Sequence, residues 1–394
     1  MFYNNSVKFT FSGFGGVALI HLTKLLRGGT FPGDGARFPP SGRQVPPVIV
    51  WHMTNACNLR CRHCYASVPS HAPMTREETF AFLEYIAKLK PPSLLLSGGE
   101  PLMHPDFFEI VSHAAALGLK ISLSTNGTRI DQRTGTFLKE QGVGYVGVSL
   151  DGGDNNPHDA FRGVDGAFER ALTGIRALKT AGCRVGLRFT MARPLLPELP
   201  RVASLTTKLA VDRICFYHFI PSGRGREEKA FVPSRGEMRD VLRYLFGWAD
   251  QGQAPEEVLT VGNFADGILL YLTLKENDDP RAEGVLALLS AGGGGRSGRG
   301  ILSVRWDGIT FADQFSWHRP IGHWTRIATH LRGEKETSPR LPALGGRCGR
   351  CRWLPLCRGN MRARAWALTG DPLGEDPGCT LEDREISEKG ATYP

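Results

Sequence analysis

Cys57, Cys61 and Cys64 stand on one short stretch, Cys57-Asn58-Leu59-Arg60-Cys61-Arg62-His63-Cys64, in a C-x3-C-x2-C spacing just after the apolar run Pro47-Val48-Ile49-Val50-Trp51. Three thiolates on a single tight loop can ligate three irons of a four-iron cluster and leave the fourth without a protein ligand. Such an open iron is a reaction site. The same residues admit a tetrahedral zinc ion, with His52 or His63 as the fourth ligand, whereas a disulfide would leave one thiol over.

A second thiol group lies towards the other end, Cys348-x2-Cys351-x5-Cys357-x21-Cys379. Four cysteines can hold zinc or a cluster, and this uneven spacing fits neither an ordinary zinc ribbon nor paired disulfides well. From Arg340 to Arg364 there are seven arginines and no acidic residue. These cations would offset the negative charge of a thiolate-ligated cluster; alternatively, some bind carboxylates of a substrate. Of nine cysteines, seven fall in the two groups, and Cys183 and Cys215 stand alone on predicted strands. That is a metal-binding distribution, which implies a reducing cytoplasm and not a secreted disulfide framework.

With 394 residues and 41% hydrophobic content, the chain can bury a substantial core and has room for two or three domains. Its formal net charge of +9 would suit nucleic acid, an anionic membrane surface or a multiply charged small anion. No RNA-binding signature, zinc-finger helix or polybasic tail accompanies the charge, so no nucleic-acid partner is expected. The run from Phe9 to Leu26 holds His21 and Lys24, is broken by Gly13, Gly15 and Gly16, and lacks a small-residue cleavage signature. It reads as a short amphipathic helix on the body of the protein, not a signal peptide or a membrane span.

What must position the first cysteine loop is a repeating unit of strand, loop and helix. Apolar runs at Val48 to Met53, Ser93 to Ser97, Lys120 to Ser124, Tyr145 to Leu150, Arg184 to Thr190 and Arg213 to Ile220 predict strands. Between them, Thr75 to Leu89, Pro105 to Leu117, Ala167 to Ala181 and Pro197 to Leu209 carry apolar residues at helical spacing. The alternation predicts a parallel sheet, either flat or closed into an incomplete six-unit barrel. Each strand ends in glycine or polar residues: the cysteine loop, then Gly98-Gly99-Glu100-Pro101, Thr125-Asn126-Gly127, Asp151-Gly152-Gly153, Arg188, and Pro221-Ser222-Gly223-Arg224-Gly225. Taken singly, these are ordinary turn dipeptides. Their recurrence at one end of every unit favours the barrel, where chemistry gathers on the loops after the strands. Ser234 to Leu289 reads as helix-rich, Ala291 to Gly300 as a glycine linker or mobile loop, and Ile301 to Phe311 as a hairpin turned at Asp307-Gly308.

The cysteine loop, Ser97-Gly98-Gly99-Glu100-Pro101, Ser124-Thr125-Asn126-Gly127 and Ser149-Leu150-Asp151-Gly152 together resemble the radical S-adenosylmethionine (radical SAM) enzymes over residues 47 to 225. The resemblance implies a partial (β/α)6 TIM-like barrel in which Cys57, Cys61 and Cys64 hold a [4Fe-4S] cluster. The open iron takes the amino and carboxylate groups of S-adenosylmethionine, and one-electron reduction yields a 5'-deoxyadenosyl radical. It further implies that Gly98, Gly99 and Glu100 accept from the methionyl ammonium, and that Arg188 meets the methionyl carboxylate. Ser149, Asn126 or Asp151 would meet the ribose, and His63 with the loop near Ile220 the adenine. The tail resembles the SPASM or twitch extension, in which Cys348, Cys351, Cys357 and Cys379 would hold an auxiliary iron-sulfur cluster, of the [4Fe-4S] type. The implied organisation is an N-terminal extension to 45, the barrel over 46–230, a helical connector and glycine-rich loop over 231–300, and an auxiliary-cluster domain over 301–394.

Gly345-Gly346-Arg347-Cys348-Gly349-Arg350-Cys351-Arg352-Trp353, Gly359-Asn360, Thr369-Gly370-Asp371-Pro372, Glu375-Asp376-Pro377-Gly378-Cys379 and Asp313-Gln314-Phe315 with His318 resemble the tetrapyrrole-modifying branch of that family. The branch serves heme d1 biosynthesis and siroheme-dependent heme biosynthesis. This implies hydrogen abstraction on an anionic siroheme-derived tetrapyrrole, with loss or remodelling of its acetate or propionate side chains. A low-potential donor such as ferredoxin or flavodoxin would supply the electron. The chain departs from the branch where Ile309-Thr310-Phe311-Ala312 replaces an Asn-Val-His-Pro sequence, and where Asn263-Phe264-Ala265-Asp266-Gly267 replaces a histidine-containing stretch. A contact to the substrate iron is then expected from His318 or His323, or the substrate differs. Two other readings are maturation of a ribosomal peptide, which calls for a peptide-binding domain ahead of the barrel, and a non-catalytic metal scaffold that binds nucleic acid.

Overall fold

The structure is a computed structural model that describes residues 19–29, 46–69, 71–336 and 343–387. Most of the Phe9 to Leu26 run, including 9–18, lies outside these residues. Its end forms a strand, β1 (Leu19–His21), followed by the helix α1 (Leu22–Arg27). The six predicted strands are present as β2 (Val48–His52), β3 (Leu94–Ser97), β4 (Ile121–Thr125), β5 (Tyr145–Ser149), β6 (Val185–Met191) and β7 (Arg213–His218). The predicted helices are α2 (Arg76–Leu89), α3 (Phe107–Ala116), α6 (Ala167–Thr180) and α7 (Leu199–Lys208); α4 (Gln132–Glu140) and α5 (Asn155–Arg162) complete the units. The start of α2 is written into its sequence. Thr75 accepts from the Glu78 backbone N–H while the Glu78 side chain returns to the Thr75 N–H, a reciprocal cap of two otherwise orphaned donors.

The helix-rich connector contains α8 (Arg235–Asp250), α9 (Ala265–Glu276) and α10 (Ala282–Gly292), and also a strand that its helical pattern hid, β8 (Glu257–Val261). β8 pairs in parallel with β7, so the sheet runs through the boundary drawn at residue 230. Its first residue explains the concealment. Glu257 is fully buried because it faces the equally buried Arg213 of β7, its register partner, so a charged residue sits where an apolar one would announce a strand.

The predicted hairpin is β9 (Ile301–Val304) and β10 (Ile309–Phe311), with β11 (Pro320–His323) added at its edge. β9 also pairs in parallel with β2, which joins the segment after residue 300 to the barrel sheet. The full order is β1-β8-β7-β6-β5-β4-β3-β2-β9-β10-β11. One apolar cluster contains Val50 of β2, Leu95 of β3, Cys215 of β7 and Leu259 of β8, strands far apart in that order. The sheet therefore curls round upon itself with this face inward. The opposite face carries the helices in a larger apolar core that includes Trp51, Phe82, Ile110, Ile175 and Phe216.

The tail continues as α11 (Ile327–Glu336), α12 (Gly346–Gly349), α13 (Leu354–Cys357), α14 (Arg362–Thr369) and α15 (Asp383–Ser387). The glycine tract is seated against it. A Cβ on Gly294 would lie 2.2 Å from the Cys357 carbonyl oxygen, and the Gly295 N–H donates to that oxygen at 3.1 Å.

Candidate active site

At the carboxyl ends of the strands, Cys57, Cys61 and Cys64 line one cavity of about 990 Å3, its open mouth included, together with His63, Gly98, Gly99, Asn126, Ser149 and Arg188. The cysteine loop is clasped from below by the loop after β3. Gly99 N–H donates to Thr54 O and Glu100 N–H to Ala56 O, each at 2.8 Å. A Cβ on Gly98 would lie 2.5 Å from Thr54 O, and one on Gly99 would lie 2.2 Å from Ala56 O. Gly98 also has φ +134°, a conformation other residues rarely adopt. Glycine is thus required here by the approach of two backbones.

Glu100 and Asp151 lie behind the cavity wall. The Glu100 carboxylate accepts from Thr125 Oγ1 at 2.7 Å, the Asn126 N–H at 2.8 Å and the Leu102 N–H at 3.3 Å, which ties the loops after β3 and β4 together. Burial pushes its carboxyl above the usual carboxylate range despite those donors. Asp151 is fully buried, accepts from the Thr190 N–H at 2.7 Å, and is paired through Oδ2 with Arg162. Both acids therefore brace loops in this fold, and neither is among the residues that line the cavity.

Arg188 does line the cavity. Its Nη1 donates to Ser124 Oγ at 2.6 Å and its guanidinium lies 5.6 Å from the Tyr217 ring centre. Gly147 makes the space, since a Cβ there would lie 2.3 Å from Arg188 Nε. Asn126 bonds across to Asn58 at 2.9 Å, and its amide nitrogen is 4.0 Å from Cys57 Sγ. His63 stacks on Phe161 at 4.4 Å between ring centres, and burial, then Arg162 and Arg224, hold its imidazole neutral.

Arg162 is the residue that spacing could not reveal. It lines the cavity at the end of α5, donates through Nη1 to Cys61 Sγ at 3.7 Å, and is paired through Nη2 with Asp151. Tyr65, Tyr217, Gln314 and Phe315 also line the cavity. Of these, Gln314 and Phe315 were marked in the sequence by the Asp313-Gln314-Phe315 motif alone. Burial, offset in part by the Leu59 N–H and reinforced by Cys61, pushes the Cys57 thiol up to about 11.

A second cavity, of about 440 Å3, is lined by Cys348, Cys351, Cys357 and Cys379 with Arg347, Asn360 and Asp376 among its walls. Burial and the other three thiols push Cys357 well above the ordinary thiol range. Among the described residues no three His, Cys, Asp or Glu side chains gather as a site for a lone metal ion, and the thiols of both groups stand around cavities instead. Three of the clustered arginines are engaged within the tail. Arg364 is paired with Asp376, Arg347 with Asp383, and Arg362 donates to the carbonyls of Pro372 and Gly374.

The radical SAM superfamily is matched over residues 51–200, the stretch that carries the cysteine loop and the four loops after it. The Fe-coproporphyrin III synthase of Methanosarcina barkeri is 38% identical over 93% of this chain and 99% of its own length. This chain belongs to the radical SAM superfamily. The pre-heme d1 synthase of Dinoroseobacter shibae is 37% identical over 88% of this chain and 89% of its own. In fold, the Streptococcus suis protein SuiB, in its structure bound to S-adenosylmethionine, superposes with a TM-score of 0.65 at 14% identity, covering 86% of this chain and 78% of that one. As a radical SAM enzyme, the protein has a [4Fe-4S] cluster and S-adenosylmethionine as its cofactors. The residues present fit them: three thiols on one cavity wall, a glycine clasp that lets backbone approach closely, and the Arg188 cation in the same cavity. Among the described residues no helix is long and apolar enough to cross a membrane.

Proposed function

We propose that this radical SAM enzyme removes or remodels carboxylate side chains of a siroheme-derived tetrapyrrole, as in the conversion of didecarboxysiroheme to iron-coproporphyrin III. The observation that carries the reading is end-to-end similarity, at 38% and 37% identity, to a synthase named for Fe-coproporphyrin III and one named for pre-heme d1. Chemistry agrees with it. Side chains on a tetrapyrrole present unactivated C–H bonds, and the bound cluster with S-adenosylmethionine supplies a 5'-deoxyadenosyl radical able to take hydrogen from them.

Within that reaction, Cys57, Cys61 and Cys64 hold the cluster. Arg188, fixed by Ser124, holds the methionyl carboxylate, while the carbonyls of Gly98 and Gly99 receive the ammonium. Asn126 and Ser149 serve the ribose, and the His63 segment with Ile220 the adenine. Cys348, Cys351, Cys357 and Cys379 hold the auxiliary cluster, supported by four thiols on one cavity and by cations close to it. The test is anaerobic incubation with a strong reductant, S-adenosylmethionine and didecarboxysiroheme. The expected result is 5'-deoxyadenosine together with a product lighter by two acetate groups. Formation of 5'-deoxyadenosine with no change in tetrapyrrole mass would overturn the substrate assignment, and Cys61→Ala should abolish both products.

A further inference from the structure

If the substrate is a metallated macrocycle, some group of the protein must face its metal, and the described histidines near the site differ sharply in fitness. His52 is fully buried at the end of β2, boxed by the rings of Tyr65 and Trp317. His63 is stacked on Phe161 beside the cysteines, and His218 is bonded to Asp266 at 2.7 Å within the core. His323 sits on the sheet's edge strand β11, with Nδ1 on Thr325 and its ring 5.2 Å from Trp324. Of these, His63 and His218 line the cavity, but the first is stacked among the cysteine loop's own contacts and the second is engaged by Asp266.

His318 is placed differently. It follows the short segment whose Gln314 and Phe315 line the cysteine cavity. That segment is fixed to the barrel by Ser222 Oγ donating to Phe315 O at 3.1 Å and by Trp317 Nε1 donating to Tyr65 O at 2.8 Å. His318 itself is exposed, and its ring lies 3.6 Å from that of Trp366 with only 9° between the planes. The Arg226 guanidinium lies 4.5 Å from the same indole. Three distant parts of the chain thus meet at one spot: the loop after β7, the loop after β10, and α14 of the cysteine-rich tail. Stacking is the informative feature. A ring laid flat on an indole keeps both nitrogens on its free edge, and an imidazole lone pair lies in the ring plane.

We propose that His318 is the protein's ligand to the central metal of an iron tetrapyrrole bearing several carboxylates, with Trp366 fixing the plane of the imidazole and Arg226 and Arg319 facing the carboxylates. The inference rests on the tetrapyrrole reading given above. Trp366 is a positioning residue, and the two arginines recognise charge regardless of the metal.

The test uses the anaerobically purified holoenzyme with ferric coproporphyrin III and with its metal-free counterpart. In the wild type, the ferric porphyrin is expected to show hyperfine coupling to a 15N-labelled histidine nitrogen. His318→Ala should remove that coupling, shift the Soret band, and weaken the ferric porphyrin at least about tenfold while changing the metal-free one by no more than about twofold. In His318→Gly, free imidazole should restore the wild-type spectrum, a recovery that a merely structural role would not give. The double variant Arg226→Ala/Arg319→Ala should weaken both porphyrins alike. Ferric binding without histidine coupling in the wild type, or an unchanged spectrum in His318→Ala, overturns the ligand assignment and leaves the substrate class standing. If neither porphyrin binds the wild type, the tetrapyrrole reading falls and takes this assignment with it.

Discussion

Arg162 and Asp151 make opposite and measurable predictions for the cluster's potential. Arg162 Nη1 lies 3.7 Å from Cys61 Sγ, while its Nη2 is held by the fully buried Asp151. Reduction adds an electron to a core already made negative by thiolates, so a nearby cation favours the reduced state. At an effective dielectric constant near 20, unit charges at such a separation interact by roughly 4 kcal/mol. The added charge spreads over the whole cluster, which about halves that figure. Arg162→Gln should then lower the midpoint potential by roughly 2 kcal/mol, or roughly 90 mV for a one-electron couple.

Asp151→Asn acts the other way. It leaves the guanidinium in place and removes the carboxylate opposing it, one contact further from the sulfur, so the potential should rise by a smaller amount. The assay is an anaerobic redox titration followed by the electron paramagnetic resonance signal of the reduced cluster, on variants whose iron and sulfide content matches the wild type. A shift of less than about 20 mV in Arg162→Gln at full iron content, or shifts of the same sign in both variants, would refute the electrostatic reasoning. Cleavage of S-adenosylmethionine at a fixed reductant potential should slow in Arg162→Gln in step with the shift.

Gly99→Ala places a methyl 2.2 Å from Ala56 O, so the two loops must part by about 1 Å; a loss of roughly 1–3 kcal/mol in stability and a fall in bound iron are expected, read by denaturant titration and iron analysis. Asp376→Ala leaves the buried Arg364 cation unpaired and should cost roughly 3–5 kcal/mol, with Asp376→Asn a milder version. Although burial alone would raise it, Arg364 and the N–H groups of Gly378 and Met361 hold the Asp376 carboxyl below its ordinary value. Its stabilising contribution is therefore present above the unfolded-state pKa and is lost as pH falls through the lower folded value, so the acid limb of a stability–pH curve should flatten in Asp376→Asn. Cys357→Ser should raise hydrogen exchange in β8 and α9, which the tail braces, while leaving β3, β4 and β5 protected; uniform deprotection of the whole sheet would contradict this local coupling.

The strands and the loops after them were legible because each strand is a short apolar run closed by glycine or polar residues, and the recurrence gave the barrel. β8 was not, because its leading residue Glu257 is satisfied by Arg213, a partner found across the sheet and not in the neighbouring sequence. Arg162 was hidden for the same reason: it joins Asp151 to Cys61, a residue 101 positions away. Glu100 shows a different limit. A carboxylate after Gly-Gly suits an ammonium by residue type, but in the fold it is fully buried outside the cavity lining and accepts from Thr125, Asn126 and Leu102. Residue type told which chemistry was possible, and the hydrogen-bond inventory decides which atoms are left to do it.

Hydrogen bonds also tie the second thiol group to the barrel sheet. Arg239 of α8 grips Glu385 with two hydrogen bonds of 2.8 and 2.9 Å and reaches Thr380 O at 3.0 Å, just beyond Cys379. Asn263, between β8 and α9, donates to Gly378 O at 2.9 Å, and the Phe264 N–H donates to Asn360 Oδ1 at 2.7 Å. Each contact ties a residue near a cysteine of the tail to the strand and helices that extend the barrel sheet past β7. The same β7 carries Tyr217 of the first cavity on its inner side. Strain or charge introduced at the second thiol group therefore has a buried, hydrogen-bonded route to the wall of the first. Seating the glycine tract on Cys357 adds a further tie from the other direction, because the segment beyond it becomes β9 and pairs with β2, the strand that ends at the cysteine loop. The tail is thereby anchored on both sides of the first cavity, so the second thiol group is held at a fixed place relative to the loops after the strands.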